Sequence, residues 1–128
     1  MVKKITIAID AMGGENAPEK TIEGVKLFLK NNQTHDDFII NLFGDKKRIE
    51  EKLEKENIDR TNLKITHTDS VVADDETPLT AIKNSKNTSM WNCISSQVNG
   101  DSDISLSAGN TGVLLVISRM ILKMMDDV

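Results

Sequence analysis

The sequence predicts an α/β fold in three layers, with helices on both faces of a mostly parallel sheet. Three observations carry this expectation. Short runs rich in β-branched and aromatic residues alternate four times with helical patterns. The connections between them are short, as in right-handed βαβ crossovers. The first run, Ile5-Thr6-Ile7-Ala8-Ile9, is apolar almost throughout, which fits a strand covered on both faces. At 128 residues the chain fits a single α/β domain over 1–128, although it is short for a complete doubly wound enzyme.

Taken in order, Lys3 to Ile9 forms the first strand and delivers Asp10 to its carboxyl end. The loop Asp10-Ala11-Met12-Gly13-Gly14-Glu15-Asn16-Ala17-Pro18 follows, with a proline suited to the first turn of a helix. Ile22, Val25 and Leu29 recur at helical spacing to Asn31. Phe38 to Phe43 reads as a second buried strand stopped by Gly44, and Asp45 is placed to cap a helix from Lys46 to Lys55 held by Ile49 and Leu53. Leu63 to Thr68 alternates as a third strand. A short helical stretch follows Pro78, and Thr88-Ser89 caps a further helix through Met90, Ile94 and Val98. Asp103 to Ser107 is the fourth strand, and Val113 to Met125 a buried helix whose apolar residues occupy several faces. A helix of that kind needs neighbours on all sides, from a partner chain or from further polypeptide.

Composition excludes several functions. The net charge is −4 with both signs interspersed, so there is no basic stripe for nucleic acid. The single Cys93 cannot form an internal disulfide and reads as core, which fits a reducing cytoplasm. His35 and His67 lie far apart without ligand spacing, and the carboxylates Asp74, Asp75 and Glu76 read as a solvated loop, so no metal site is expected. The amino terminus lacks a signal-peptide pattern, and the final apolar run is too short and too interrupted to span a bilayer.

Two loops carry the chemistry. Asp10, Gly13, Gly14 and Asn16 follow the first strand; Ser107-Ala108-Gly109-Asn110-Thr111-Gly112 follows the fourth, with Asn110 and Thr111 the residue types that cap a helix start. Glycines permit tight turns with uncovered N–H groups, and a helix N-terminus is a ready anion site. Neither loop is a dinucleotide fingerprint or a Walker loop. On the residues alone, each is equally well read as a turn that binds nothing. Lys83 and Lys86 are candidate anion contacts before the Thr88 helix.

Together, the two loops resemble the PlsX family of bacterial phosphate acyltransferases of fatty acid and phospholipid synthesis, and Pro78 to Met90 resembles that family's segment running from a proline to Ser-Ser-Met. The resemblance spans the chain as the amino-terminal portion of a family member. It implies an incomplete sheet of the isocitrate and isopropylmalate dehydrogenase or phosphotransacetylase type. It also implies transfer of a fatty acyl group from acyl carrier protein to inorganic phosphate, without metal or organic cofactor. The acyl phosphate would pass to the membrane acyltransferase PlsY. The family implies a cytoplasmic homodimer, peripheral to the inner face of the plasma membrane. By motif match Asp10, Gly13, Gly14, Asn16, Ser107, Gly109, Asn110 and Thr111 are assigned to phosphate and acyl-phosphate binding. The middle segment departs from the family in being less basic at Lys83-Asn84-Ser85-Lys86. The alternatives are a non-catalytic binding module that pairs with a separate carboxyl-terminal half, and a phosphotransacetylase-like or β-decarboxylating dehydrogenase-like enzyme.

Overall fold

The computed structural model describes residues 3–32, 37–84 and 86–123. His35, Ser85, Met124 and Met125 lie outside them. Along the chain run β1 (Ile5–Asp10), α1 (Glu19–Asn31), β2 (Phe38–Gly44), α2 (Lys46–Lys55), β3 (Leu63–His67), α3 (Pro78–Asn84), α4 (Ser89–Val98), β4 (Ile104–Ser107) and α5 (Thr111–Leu122). The strands form one four-stranded sheet in the order β3-β2-β1-β4, parallel throughout. This is the α/β architecture that the alternating pattern predicts.

Strand periodicity divides the side chains between the two faces. Ile9, Phe38, Ile40 and Leu42 pack with Ile22 and Val25 of α1 and with Ile49 and Leu53 of α2. On the other face Ala8 and Phe43 pack on Cys93 of α4. A further cluster lies outside the sheet, where Met90 and Ile94 of α4 meet Val113 and Ile117 of α5, Ala81 of α3 and Val72. Full burial of one such aliphatic side chain is worth about 1.5–3 kcal/mol.

The helix starts follow the expected chemistry. Asp45 accepts the N–H groups of Lys47 and Arg48 at 3.1 and 3.3 Å, and Thr88 accepts that of Trp91 at 3.2 Å. His67 also holds the start of α2: its Nδ1 accepts the Lys46 N–H at 3.1 Å while Nε2 lies 2.8 Å from Asp69. Glu56, just past α2, ties the two helices of one face together. Its carboxylate meets Lys26 of α1 at 3.0 Å and Lys52 of α2 at 2.9 Å.

One expectation needs correction and one is only partly met. Within this chain the final helix has neighbours on one side. It leans on α3 and α4 through Val113 and Ile117, one turn apart, whereas Leu115 and Met120 lie on its open side. The first strand is covered on both faces only at its carboxyl half, since Ile5 at its beginning is half exposed.

Leu42→Ala should cost about 2–5 kcal/mol in chemical denaturation and Leu115→Ala almost nothing, because only the first leaves a cavity. The lysines lower the Glu56 pKa from 4.5 to about 2, chiefly through hydrogen bonds from Lys52 and Lys26. A depressed folded pKa gives stability above the unfolded value that is lost as pH falls through the folded one. Glu56→Gln should therefore lower Tm at pH 7, with the difference from the parent closing between pH 4.5 and about 2.

Candidate functional site

Between β1 and β4 the sheet changes direction of winding: β2 follows β1 on one side, and β4 lies on the other. In open parallel sheets the crevice at the carboxyl ends of such a strand pair is where ligands bind. Both glycine-bearing loops emerge there.

Strand register sets the chemistry of this crevice. Asp10 pairs with Ser107 across the ladder although the two are 97 residues apart in the chain. The Ser107 hydroxyl donates to Asp10 Oδ2 at 2.8 Å and accepts the Gly109 N–H at 3.1 Å. Asp10 Oδ1 accepts the Met12 N–H at 3.2 Å. One carboxylate, only 2% exposed, thus fixes the first turn of both loops. A buried carboxylate is tolerated only with such donors.

The glycines let the loops interlock. A Cβ on Gly13 would stand 2.7 Å from Asp10 Oδ2 and 2.9 Å from both the Gly109 nitrogen and Ser107 Oγ. Gly14, at φ +97°, would bring a Cβ within 3.0 Å of the Ala108 carbonyl oxygen. Gly109 is packed too, since a Cβ there would lie 2.9 Å from the Met90 methyl. Its missing side chain thus makes room for the protein's own α4.

Asn110 joins a third segment to the site. Its Oδ1 caps α5 by accepting the Val113 N–H at 3.2 Å, while its Nδ2 donates to the carbonyls of Ala73, Asp74 and Glu76 at 3.1, 3.2 and 2.7 Å. The sequence suggested the cap but gave no sign of this second anchor, because the acceptors are backbone atoms of a loop noticed only for its carboxylates. Gly112 similarly rests against Pro78, the first residue of α3. Thr111 is exposed at the first position of α5. With the Val113 and Leu114 N–H groups held by Asn110, those of Thr111 and Gly112 have no partner within the helix.

The structure therefore brings Asp10, Gly13, Gly14, Ser107 and Gly109 into mutual contact, with Asn110 and Thr111 beside them. Asn16 lies further along the first loop at φ 58°, its carbonyl accepting the Lys20 N–H at 3.0 Å. Lys83 and Lys86 are exposed and make no hydrogen bond or ion pair with either loop. Beneath the crevice lies Cys93, whose thiol pKa is pushed up to about 12 by burial and then by the negative charge of Asp10. Among the described residues no group of three His, Cys, Asp or Glu side chains is arranged to hold a metal ion, and no helix is long and apolar enough to cross a membrane.

Fold and site define a parallel α/β protein with two glycine loops locked together at the switch point of its sheet. A family model described as a fatty acid synthesis protein matches residues 5–128, and the chain belongs to that family. Its curated relatives carry the name phosphate acyltransferase. The protein of that name from Pelagibacter ubique is 42% identical over 128 residues, all of this chain and 37% of that protein. The one from Bradyrhizobium diazoefficiens is 37% identical over 124 residues, 96% of this chain and 34% of that protein. In Streptococcus uberis the figures are 44% over 109 residues, 85% of this chain and 30% of that protein. The chain thus spans about a third of the length of the relatives it matches.

Gly13→Ala should cost at least about 1–3 kcal/mol in denaturant titrations, because backbone on the facing loop must shift. Gly24→Ala, in α1 with nothing within 4 Å of the new Cβ, should gain up to about 1 kcal/mol. Cys93 should resist thiol reagents at pH 8 in the folded chain and react at once in denaturant.

Proposed function

We propose that this chain forms the phosphate-side wall of a phosphate acyltransferase site, where a fatty acyl group passes from the thioester of acyl carrier protein to inorganic phosphate. The observation that carries this reading is the Asp10–Ser107 hydrogen bond, which locks two glycine loops beside the open N–H groups at the start of α5. The names of the relatives favour the same reaction class.

In this reading a phosphate oxygen attacks the thioester carbonyl carbon. The carbonyl oxygen becomes an oxyanion; as it collapses back to a carbonyl the C–S bond breaks, and the carrier's thiolate leaves and takes up, through water, the proton that hydrogen phosphate gives up. Phosphate is already a nucleophile at neutral pH, so the protein's task is to position it and to stabilise charge with fixed donors. The N–H groups of Thr111 and Gly112, with the Thr111 hydroxyl, supply donors at a helix N-terminus. Ser107 and Asp10 act as positioning residues: the serine hydroxyl already donates to the carboxylate and accepts from Gly109, so it orients the loop. Acyl carrier protein and phosphate are the substrates of this reading. Homodimer formation and delivery of acyl phosphate to a membrane acyltransferase follow from the same family reading.

The test is acyl phosphate formation from acyl carrier protein thioester and phosphate by the full chain, co-expressed with the carboxyl-terminal two-thirds of the Pelagibacter ubique relative. Ser107→Ala and Asp10→Asn should each lower kcat/KM by about 100-fold through misplacement of the loop. Lys55→Ala, on the solvated face of α2, should leave it unchanged. Full activity in both loop variants would overturn the assignment.

A further inference from the structure

His67 is the last residue of β3 and pairs across the ladder with Gly44, one residue before the Asp45 cap of α2. Two hydrogen bonds fix its ring there: Nδ1 lies 3.1 Å from the Lys46 nitrogen and Nε2 lies 2.8 Å from Asp69 Oδ1. A backbone N–H only donates and an ionised carboxylate only accepts. The ring therefore presents a lone pair at Nδ1 and a hydrogen at Nε2. One of the two neutral forms does so, the Nε2–H tautomer.

The protonated ring cannot serve both partners. It carries a hydrogen on each nitrogen, so the bond to Asp69 survives while Nδ1–H and the Lys46 N–H point at each other. Either the ring turns away from the helix or the amide loses its acceptor. Lys46 is the first residue of α2, and its N–H is one of those a helix cannot satisfy from within. The next two amides do not depend on the ring, because Asp45 Oδ1 accepts those of Lys47 and Arg48. This helix start thus has two caps, one an imidazole and one a carboxylate. The charged residues on the elements that meet at the ring are Asp69 on its own segment and Asp45, Lys46, Lys47 and Arg48 at the start of α2; Arg48 lies 3.7 Å from Glu19 of α1. Of these, Asp69 is the one bonded to the ring, and it accepts from the ring in either protonation state.

We infer that His67 is a proton-operated catch on the first turn of α2: neutral, it caps the Lys46 amide; protonated, it lets that amide go while Asp69 keeps the ring at hand. The turn it controls is the one that meets the first glycine loop. A Cβ on Gly44 would stand 2.6 Å from Met12 Cγ, and Arg48 Nη2 lies 3.4 Å from the Ala17 carbonyl oxygen. Water reaches the ring, whose side chain is 49% exposed, so the released amide finds a new partner and the change is a local opening rather than unfolding. The inference rests on these hydrogen bonds and not on the proposed reaction.

The full chain, isotopically labelled, is titrated with acid while NMR follows the imidazole nitrogens and the backbone amides together. At neutral pH the ring should report the Nε2–H form. As the ring becomes protonated, the protection of the Lys46 amide against hydrogen exchange, corrected for the intrinsic pH dependence of exchange, should fall about three- to tenfold. The Lys47 and Arg48 amides should keep theirs over the same range, since they report on Asp45. His67→Asn separates capping from titration: its Oδ1 stands in for Nδ1 and takes up no proton, so Lys46 should stay protected throughout. His67→Phe should give the low value at every pH, and the dispersion of each spectrum reports that the variant is folded. An Nδ1–H tautomer at neutral pH would overturn the inference. So would a Lys46 amide that ignores the ring's titration, or one that loses protection equally in His67→Asn, because a carboxylate would then be the group responsible. No readout here depends on acyl transfer.

Discussion

The register between β1 and β4 is the constraint on which the crevice depends. It places a carboxylate and a hydroxyl, Asp10 and Ser107, side by side at the carboxyl ends of adjacent strands. Their hydrogen bond is charge-assisted and lies in surroundings of low polarity, where such a bond is strong and its loss leaves a buried carboxylate held by the Met12 N–H alone. From it follow the Gly109 N–H bond to Ser107, the Met12 N–H bond to Asp10 and the close approach of Gly13 to the second loop. A slip of one residue in β4 would turn Ser107 onto the face opposite Asp10.

The loops therefore owe their shape to each other more than to any ligand. Gly13 and Gly14 are small because Ser107, Ala108 and Gly109 pass against them, and Gly109 is small because the Met90 methyl rests there. Asn110 extends this interlock to the Ala73–Glu76 loop through three carbonyls. Such a site is preorganised: donors held by other parts of the protein need not be reoriented when charge develops in front of them. The cost is intolerance of added bulk, which falls on the glycines first.

The same winding that creates the crevice leaves the α1 and α2 face of the sheet finished over β1, β2 and β3 and open at β4. Helices α1 and α2 cover the sheet above β1, β2 and β3, while α5 turns away to α3 and α4. Apolar residues are left uncovered along the whole chain, among them Leu27 of α1, Leu79 of α3, Ile104 and Leu106 on the sheet and Leu115 and Met120 on α5. The open flank adjoins Asp10 and Ser107, so the uncovered apolar groove between α1 and β4 and the crevice share a border.

Much of this was legible in the sequence because it is local. Alternating β-branched runs gave the strands, the i, i+4 pair Ile49 and Leu53 gave the buried stripe of α2, and Asp45, Thr88 and Asn110 announced helix starts by their side-chain chemistry. The motif resemblance placed both loops in one family before any geometry was known, and the family match bears that membership out. Tertiary structure alone decided what depends on residues distant in the chain. The strand order put β4 beside β1, the ladder set Asp10 against Ser107, and the packing of α5 onto α3 and α4 decided which face of that apolar helix stays open. Periodicity reports which side of an element is apolar, but not which neighbour arrives to cover it. That is why the sequence determined the elements and the family, and only the fold decided the hydrogen bond at the crevice and the edge left open beside it.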